Sequence, residues 1–219
     1  IFRGAHMSES AVPALISAAS GLLGVIVGSG IPWLKETLSE RKHARYLAIR
    51  VVCILDKFVE GCVDVVNDDG LREGQRDADG FLDPQVNLPD SPSFPTDVDW
   101  RSIKHDVMYR VLSLPRDVEI AKRSISHSSE FSDPPDFKEF FEDRQYQYAC
   151  LGLTAAKLAR DLRNTYSIPD RDFGHWNPVK NLRDKKDTIE QQRHARESQP
   201  SIFDEISAPN SEQDELKKL

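Results

Sequence analysis

The residues able to do chemistry are few and scattered. In "QRDADGFLDPQV", Gln75 to Val86, the acids Asp77 and Asp79 precede Gly80 and Asp83 at nearly the spacing of a calcium-binding loop. Gln75 and Val86 stand where such a loop needs its first ligand and its closing bidentate Glu, so the stretch reads as Asp/Gly turn chemistry instead. The three cysteines, Cys53, Cys62 and Cys150, have no metal-ligand spacing and sit in apolar helical patterns. That fits small buried hydrophobes in a reducing compartment. Arg41, Lys42, Arg45 and Arg50 form the clearest binding feature, because each basic side chain beside an anionic leaflet gains about 1 kcal/mol. The competing reading is a solvated helix face balanced by Glu36 and Glu40.

His105-Asp106, in a helical pattern, resembles the all-helical HD phosphohydrolases, in which a His-Asp pair and a distant His and Asp hold a metal. The likeness covers this dipeptide alone. His43 and Asp161 are the residues it would cast as the remaining ligands, and it implies a metal-dependent phosphohydrolase as the alternative to a non-catalytic function. Glu40 and His43 make a single Glu-x-x-His, whereas a ferritin-like di-iron site needs two such pairs and further carboxylates. The chain has no Gly-rich phosphate loop, nucleophile elbow or Cys/His pairing. No catalytic residue, metal site or cofactor is assigned.

The elements that must position these residues are helices. Ala11 to Leu34 carries no charge, and about 24 residues at 1.5 Å each cross a hydrocarbon core of about 30 Å. Met7 to Ser10 holds an acid and no base, which argues against a cleaved signal. The sequence therefore predicts a transmembrane helix. Trp33, Lys35, Arg41, Lys42 and Arg45 would anchor it at the interface, with the C-terminal bulk cytoplasmic by the positive-inside rule. Pro32 predicts a break or hinge near Gly30. Ser17, Gly21, Gly24 and Gly28 fall on one stripe of that helix, a pattern that lets helix backbones approach closely in lipid.

Beyond it, Leu47, Val51, Ile54, Phe58, Cys62 and Val65 recur at steps of four and three, as do Phe137, Phe141, Arg144, Tyr148, Leu151, Ala155, Leu158 and Leu162. These spacings predict two long seamed helices, near 35–66 and 135–166. Trp100, Ile103, Val107 and Val111 share the face of a third piece, and Pro115 predicts a new short helix. Residues 67–96 lose periodicity and fill with Asp, Gly and Pro, predicting a long loop that is functional or flexible. Asn177 caps a polar helix after Pro178, read as a solvated arm or a weak coiled-coil strand.

The expected architecture is all-α: one N-terminal transmembrane helix, then a cytoplasmic antiparallel helical bundle with a long irregular insertion. Residues 1–6 read as additions ahead of Met7, 7–34 as tail and span, 35–168 as the bundle with its loop at 67–96, 169–198 as connection and polar helix, and 199–219 as an acidic disordered tail. In that tail "SIFDEI" places Ile202, Phe203 and Ile206 on one face if helical. A net charge of -7 argues against nucleic acid as partner. The partners expected are the lipid bilayer, further copies of the chain and an unknown protein. The leading function is a membrane-anchored interaction or scaffold module, and an oligomeric pore is a further alternative.

Overall fold

The computed structural model describes residues 11–174 and 176–198, with side chains from Ser39 onward. Helix α1 spans Ala11–Asn67, α2 His105–Glu130, α3 Lys138–Tyr166 and α4 Pro178–Glu197; one 3-10 turn, Trp100–Ser102, precedes α2. Among the described residues there is no strand, only an isolated bridge between Arg72 and Gln75. The all-α reading holds. Residues 1–6, the tail 199–219 and His175 lie outside the described residues, as do the side chains of the expected span.

Two prolines expected to break or open helices lie inside them, Pro32 in α1 and Pro115 in α2. Each forfeits one ladder bond. At Pro115 the loss is offset by its neighbours Leu114 and Val118, both fully buried, at about 1.5–3 kcal/mol apiece. The piece expected to be two short helices is therefore one.

Helix α3 packs against α1, α2 and α4, and every pairing is antiparallel. Along α1, Asp56 meets Arg163 and Asp68 meets Arg144. Along α2, Arg110 meets Asp161 while Ser124 and Ser128 both donate to Asp143. Along α4, Tyr146 meets Glu190. Helices α1 and α2 therefore run parallel to one another on the flanks of α3, and no short turn can join parallel neighbours. The chain must travel back along α2, whose 26 residues span about 39 Å, a journey of at least ~12 extended residues. That requirement accounts for the long aperiodic segment.

The segment also packs. Val86, Leu88, Phe94, Val98 and Trp100 lie against the core, and Trp100 Nε1 donates to the Pro95 carbonyl at 2.9 Å. On one side Asp97 takes the Arg50 guanidinium at 3.0 Å; on the other Ser91 Oγ donates to Glu119 at 2.7 Å. Residues 68–99 thus bridge α1 and α2 instead of forming a flexible insertion.

Both predicted seams meet in the core: Leu47, Val51, Phe58, Cys62 and Val65 of α1 are buried with Tyr148, Leu151, Ala155, Leu158 and Leu162 of α3, whereas Ile54 is half-buried and Phe137 stands ahead of α3 as its left-handed N-cap. Cys62 behaves as the buried hydrophobe expected, whereas Cys53 is exposed and Cys150 only half-buried. The solvated-arm reading of α4 is corrected too, since Leu182 and Ile189 are buried. Asn177 Oδ1 accepts the Lys180 N–H at 3.0 Å, which is the cap expected.

Gly152 sets the closeness of this packing. A Cβ there would stand 2.7 Å from Leu182 Cδ1 and 2.9 Å from Cys62 Cβ, so α1, α3 and α4 converge where one residue has no side chain. Gly152→Ala should destabilise the chain by about 1–3 kcal/mol, against the gain of about 1 kcal/mol that helix propensity alone would give. Leu158→Ala should cost about 2–5 kcal/mol, Leu158 being 0% exposed. Denaturant midpoints of the full chain check both, and an unchanged midpoint for either would place that side of α3 outside the core.

Candidate functional site

Two polar constellations stand apart from ordinary surface charge, and the first is internal. Asp68 follows the last residue of α1, where the chain turns into the bridging segment. Its Oδ1 accepts the Gly70 N–H at 3.0 Å, and its Oδ2 accepts the Gln85 and Val86 N–H groups at 3.0 Å each. Arg144, from the apolar seam of α3, donates Nη1 to Asp68 Oδ2 at 2.6 Å and Nη2 to the Val86 carbonyl. The pair is nearly sealed, with side chains 2% and 1% exposed. Burial alone would push the Asp68 carboxyl up; the Arg144 guanidinium and the N–H groups of Val86, Gly70 and Gln85 outweigh it and hold the carboxyl below its usual range. A carboxylate so deeply buried and tied to the chain around it is closed to a substrate. Its work is to fold the segment onto α3.

Gly70 belongs to the same turn. Its φ is +76°, and a Cβ there would overlap the Phe141 ring, so only glycine lets the chain reverse over the aromatic.

The second constellation opens at the opposite end of the bundle. A cleft of about 1060 Å³ is lined by Glu40, Arg41, His43 and Arg45 of α1, by Asp99, Arg101 and Ser102 around the 3-10 turn, and by Thr165 to Ser167 at the end of α3. Ser167 takes a left-handed conformation, φ 52°, and its carbonyl accepts Arg45 Nη2 at 3.2 Å. Asp99 caps the 3-10 turn by accepting the Arg101 N–H at 3.0 Å and also binds Arg101 Nε at 3.0 Å. The Arg101 hydrogen bonds hold the Asp99 carboxyl low, with a smaller contribution from His43. Ser102 Oγ is spent on the Asp99 carbonyl at 2.7 Å. Among the described residues no hydroxyl of the cleft hydrogen-bonds His43, so no activated nucleophile is assembled. The lining sets Arg41, Arg45 and Arg101 against Glu40 and Asp99, so the concave surface carries a small excess of positive charge.

This places the expected interface residues. Arg41 and Arg45 line the cleft, and Lys42 lies exposed between them. Arg50 is instead committed to Asp97. The side chains of Ser17, Gly21, Gly24, Gly28, Trp33 and Lys35 lie outside the described residues. Arg101 is the member sequence reading missed, because its partner helix is distant along the chain.

The other candidates dissolve into structure. Asp77 Oδ1 accepts the Asp79 and Phe81 N–H groups at 3.0 and 2.7 Å, closing the turn expected in place of a calcium loop. Asp161 is bound to Arg110 at 3.1 Å, and His105 and Asp106 are exposed at the start of α2. Among the described residues no three His, Cys, Asp or Glu side chains converge as a metal site would require. A second groove, of about 530 Å³, is lined by Arg160, Arg163, Arg171, Arg183, Phe173 and Trp176 among others. In it Arg163 binds Asp56 at 2.5 Å and Arg171 binds Glu60 at 2.6 Å. The Arg171 pair fastens the connection ahead of α4 back onto α1, while Arg163, on α3, also donates Nε to the Pro169 carbonyl of that connection at 3.2 Å.

Comparison with protein-family models, with curated proteins and with solved structures finds no match to this chain.

Asp68 supplies a pH dependence with a definite sign. A carboxyl held low in the folded state contributes stability that is complete above the unfolded value, about 3.9, and is lost as pH falls through the lower folded value. Asp68→Asn should cost several kcal/mol near neutrality, since a buried guanidinium left without its partner costs about 3–5 kcal/mol. It should also make stability less steep with pH below about 4. Denaturant unfolding from pH 7 to 2.5 checks both; an equal acid slope in the two chains would remove Asp68 from this role.

Proposed function

We propose that the protein is a membrane-anchored helical module that acts by self-association or by recruiting a partner, without catalysis. The N-terminal stretch of α1 spans a bilayer in this reading, and the bundle stands on its cytoplasmic face. Among the described residues no helix is long and apolar enough to cross a membrane; the span rests on the charge-free residues 11–34.

The observation that carries the reading is the placement of the basic cleft. Arg41, Arg45, Arg101 and His43 outnumber Glu40 and Asp99 at the end of the bundle from which α1 continues toward the charge-free stretch. An anchor in that stretch would bring this end against the headgroups, where each cation gains about 1 kcal/mol at an anionic leaflet. Continuity of α1 matters as well. A span joined to the bundle by helix would pass its orientation to the bundle, so close pairing through Ser17, Gly21, Gly24 and Gly28 would bring two bundles together in one relative arrangement.

The first test is fractionation. The full chain should sediment with membranes, resist alkaline carbonate and leave only with detergent, and removal of residues 11–34 should abolish sedimentation; release by carbonate would overturn the anchor. The second concerns the stripe. In mild detergent Gly24→Ile should move the chain toward monomer, although it raises hydrophobicity, while Val25→Ile should change little. Light scattering reads the difference, and equal association in both would assign assembly to the bundle.

A further inference from the structure

Helix α2 carries two faces of opposite fate. Val107, Val111, Leu114, Val118, Ala121 and Ile125 are buried against the core. On the opposite side Tyr109, Leu112, Arg116, Ile120, Arg123 and His127 follow one another at steps of three and four, a second helical stripe. Phe131 extends it past the end of α2. This stripe is apolar where exposure is costly: Tyr109 is 73% exposed, Phe131 70%, Ile120 49% and Leu112 46%. It is also basic. Arg116 and Arg123 have no carboxylate within ion-pair distance among the described residues, while the nearby Glu119 is already held by Ser91 and Lys122. Three further acids border the stripe: Asp106 near Tyr109, Asp117 near Ile120, and Glu130 at its end next to Phe131.

We propose that the occupant of this stripe is the chain's own C-terminal segment, residues 199–219. Its composition complements the stripe: Ile202, Phe203 and Ile206 come first, with Asp204 and Glu205 among them, then Glu212, Asp214 and Glu215, so that five acids outweigh Lys217 and Lys218. Its point of departure also fits. Arg196, two residues before Ser198, binds Glu142 at 2.6 Å, and the neighbouring Asp143 accepts from Ser128 near the end of α2. Helix α3 alone separates the two places, so Ser198 lies about two interhelical spacings, or ~20 Å, from the end of α2. Five residues of extended chain cover about 16–18 Å and eight about 26–29 Å, so Ile206 reaches Phe131 and His127 while Ile202 and Phe203 lie on the way to them. The acids that follow then run back along α2, with Glu212, Asp214 and Glu215 facing Arg123 and Arg116. The contact does not depend on the membrane anchor.

The test uses the full chain in detergent with a photo-cross-linking residue in place of Ile120. Irradiation should give an adduct of monomer mass in which Ile120 is joined to a peptide from residues 199–219. Arg116→Glu with Arg123→Glu should lower its yield at least five-fold. Adding Glu212→Lys, Asp214→Lys and Glu215→Lys should restore it, because the charges are exchanged and not lost. An adduct of doubled mass, showing a second copy on the stripe, would overturn the proposal, as would an adduct lacking the C-terminal peptide or a yield indifferent to the charge exchange.

Discussion

The structure depends on the Asp68–Arg144 pair because the topology creates a problem that this pair solves. Parallel flanking helices demand a long return segment, and a long segment without periodic hydrophobicity has little of its own with which to offset its ordering entropy. The carboxylate at the start of that segment accepts three backbone N–H groups, and the guanidinium on α3 takes the Val86 carbonyl beside it. With Asp68 to Val86 tied to the central helix, Leu88, Phe94 and Val98 follow into contact with the core. A buried ion pair adds little net stability over an apolar filling. Its value here is direction, since it meets the hydrogen-bonding needs of a buried turn that apolar residues would leave unsatisfied.

The same antiparallel arrangement gives the two ends of the bundle different characters. At one end the turn around Asp68, Gly70 and Phe141 is closed and internally satisfied. At the other the start of the described α1 side chains, the 3-10 turn and the end of α3 leave an open cleft between them, lined by three arginines and two carboxylates. Its arginines are positioned by short-range devices, a left-handed Ser167 offering its carbonyl and an Asp99 cap holding Arg101. Ser102 Oγ is turned to the backbone, donating to the Asp99 carbonyl.

Packing along the middle is governed by size. The absence of a side chain at Gly152 allows Cys62 and Leu182 to approach the same point of α3 from two sides. This draws α4 into the core although its sequence is mostly polar. Its Arg193 and Arg196 then find Glu142, whose carboxyl burial would raise but the two guanidiniums hold low.

Local chemistry was legible in the sequence. The four-and-three spacing of Leu47 to Val65 and of Phe141 to Leu162 determined the two seamed helices. Asn177 determined the cap of α4 and Asp77 the turn over Gly80, because periodicity, capping and Asx turns act within a few residues. What spacing could not decide was which distant residues meet. Arg144 sits at a seam position that reads as apolar, and only the fold supplies the carboxylate across 76 positions of sequence that lets it be buried. Residues 68–99 read as loose because their order comes from α1 and α2 on either side, and Pro115 read as a helix start because the burial that carries α2 through it is tertiary. Arg101 joins Arg41 and Arg45 only once the 3-10 turn is set beside α1. Helix periods are fixed by the backbone, so sequence determines them; partnership across a core is fixed by which faces can be buried together, and that only the tertiary structure decides.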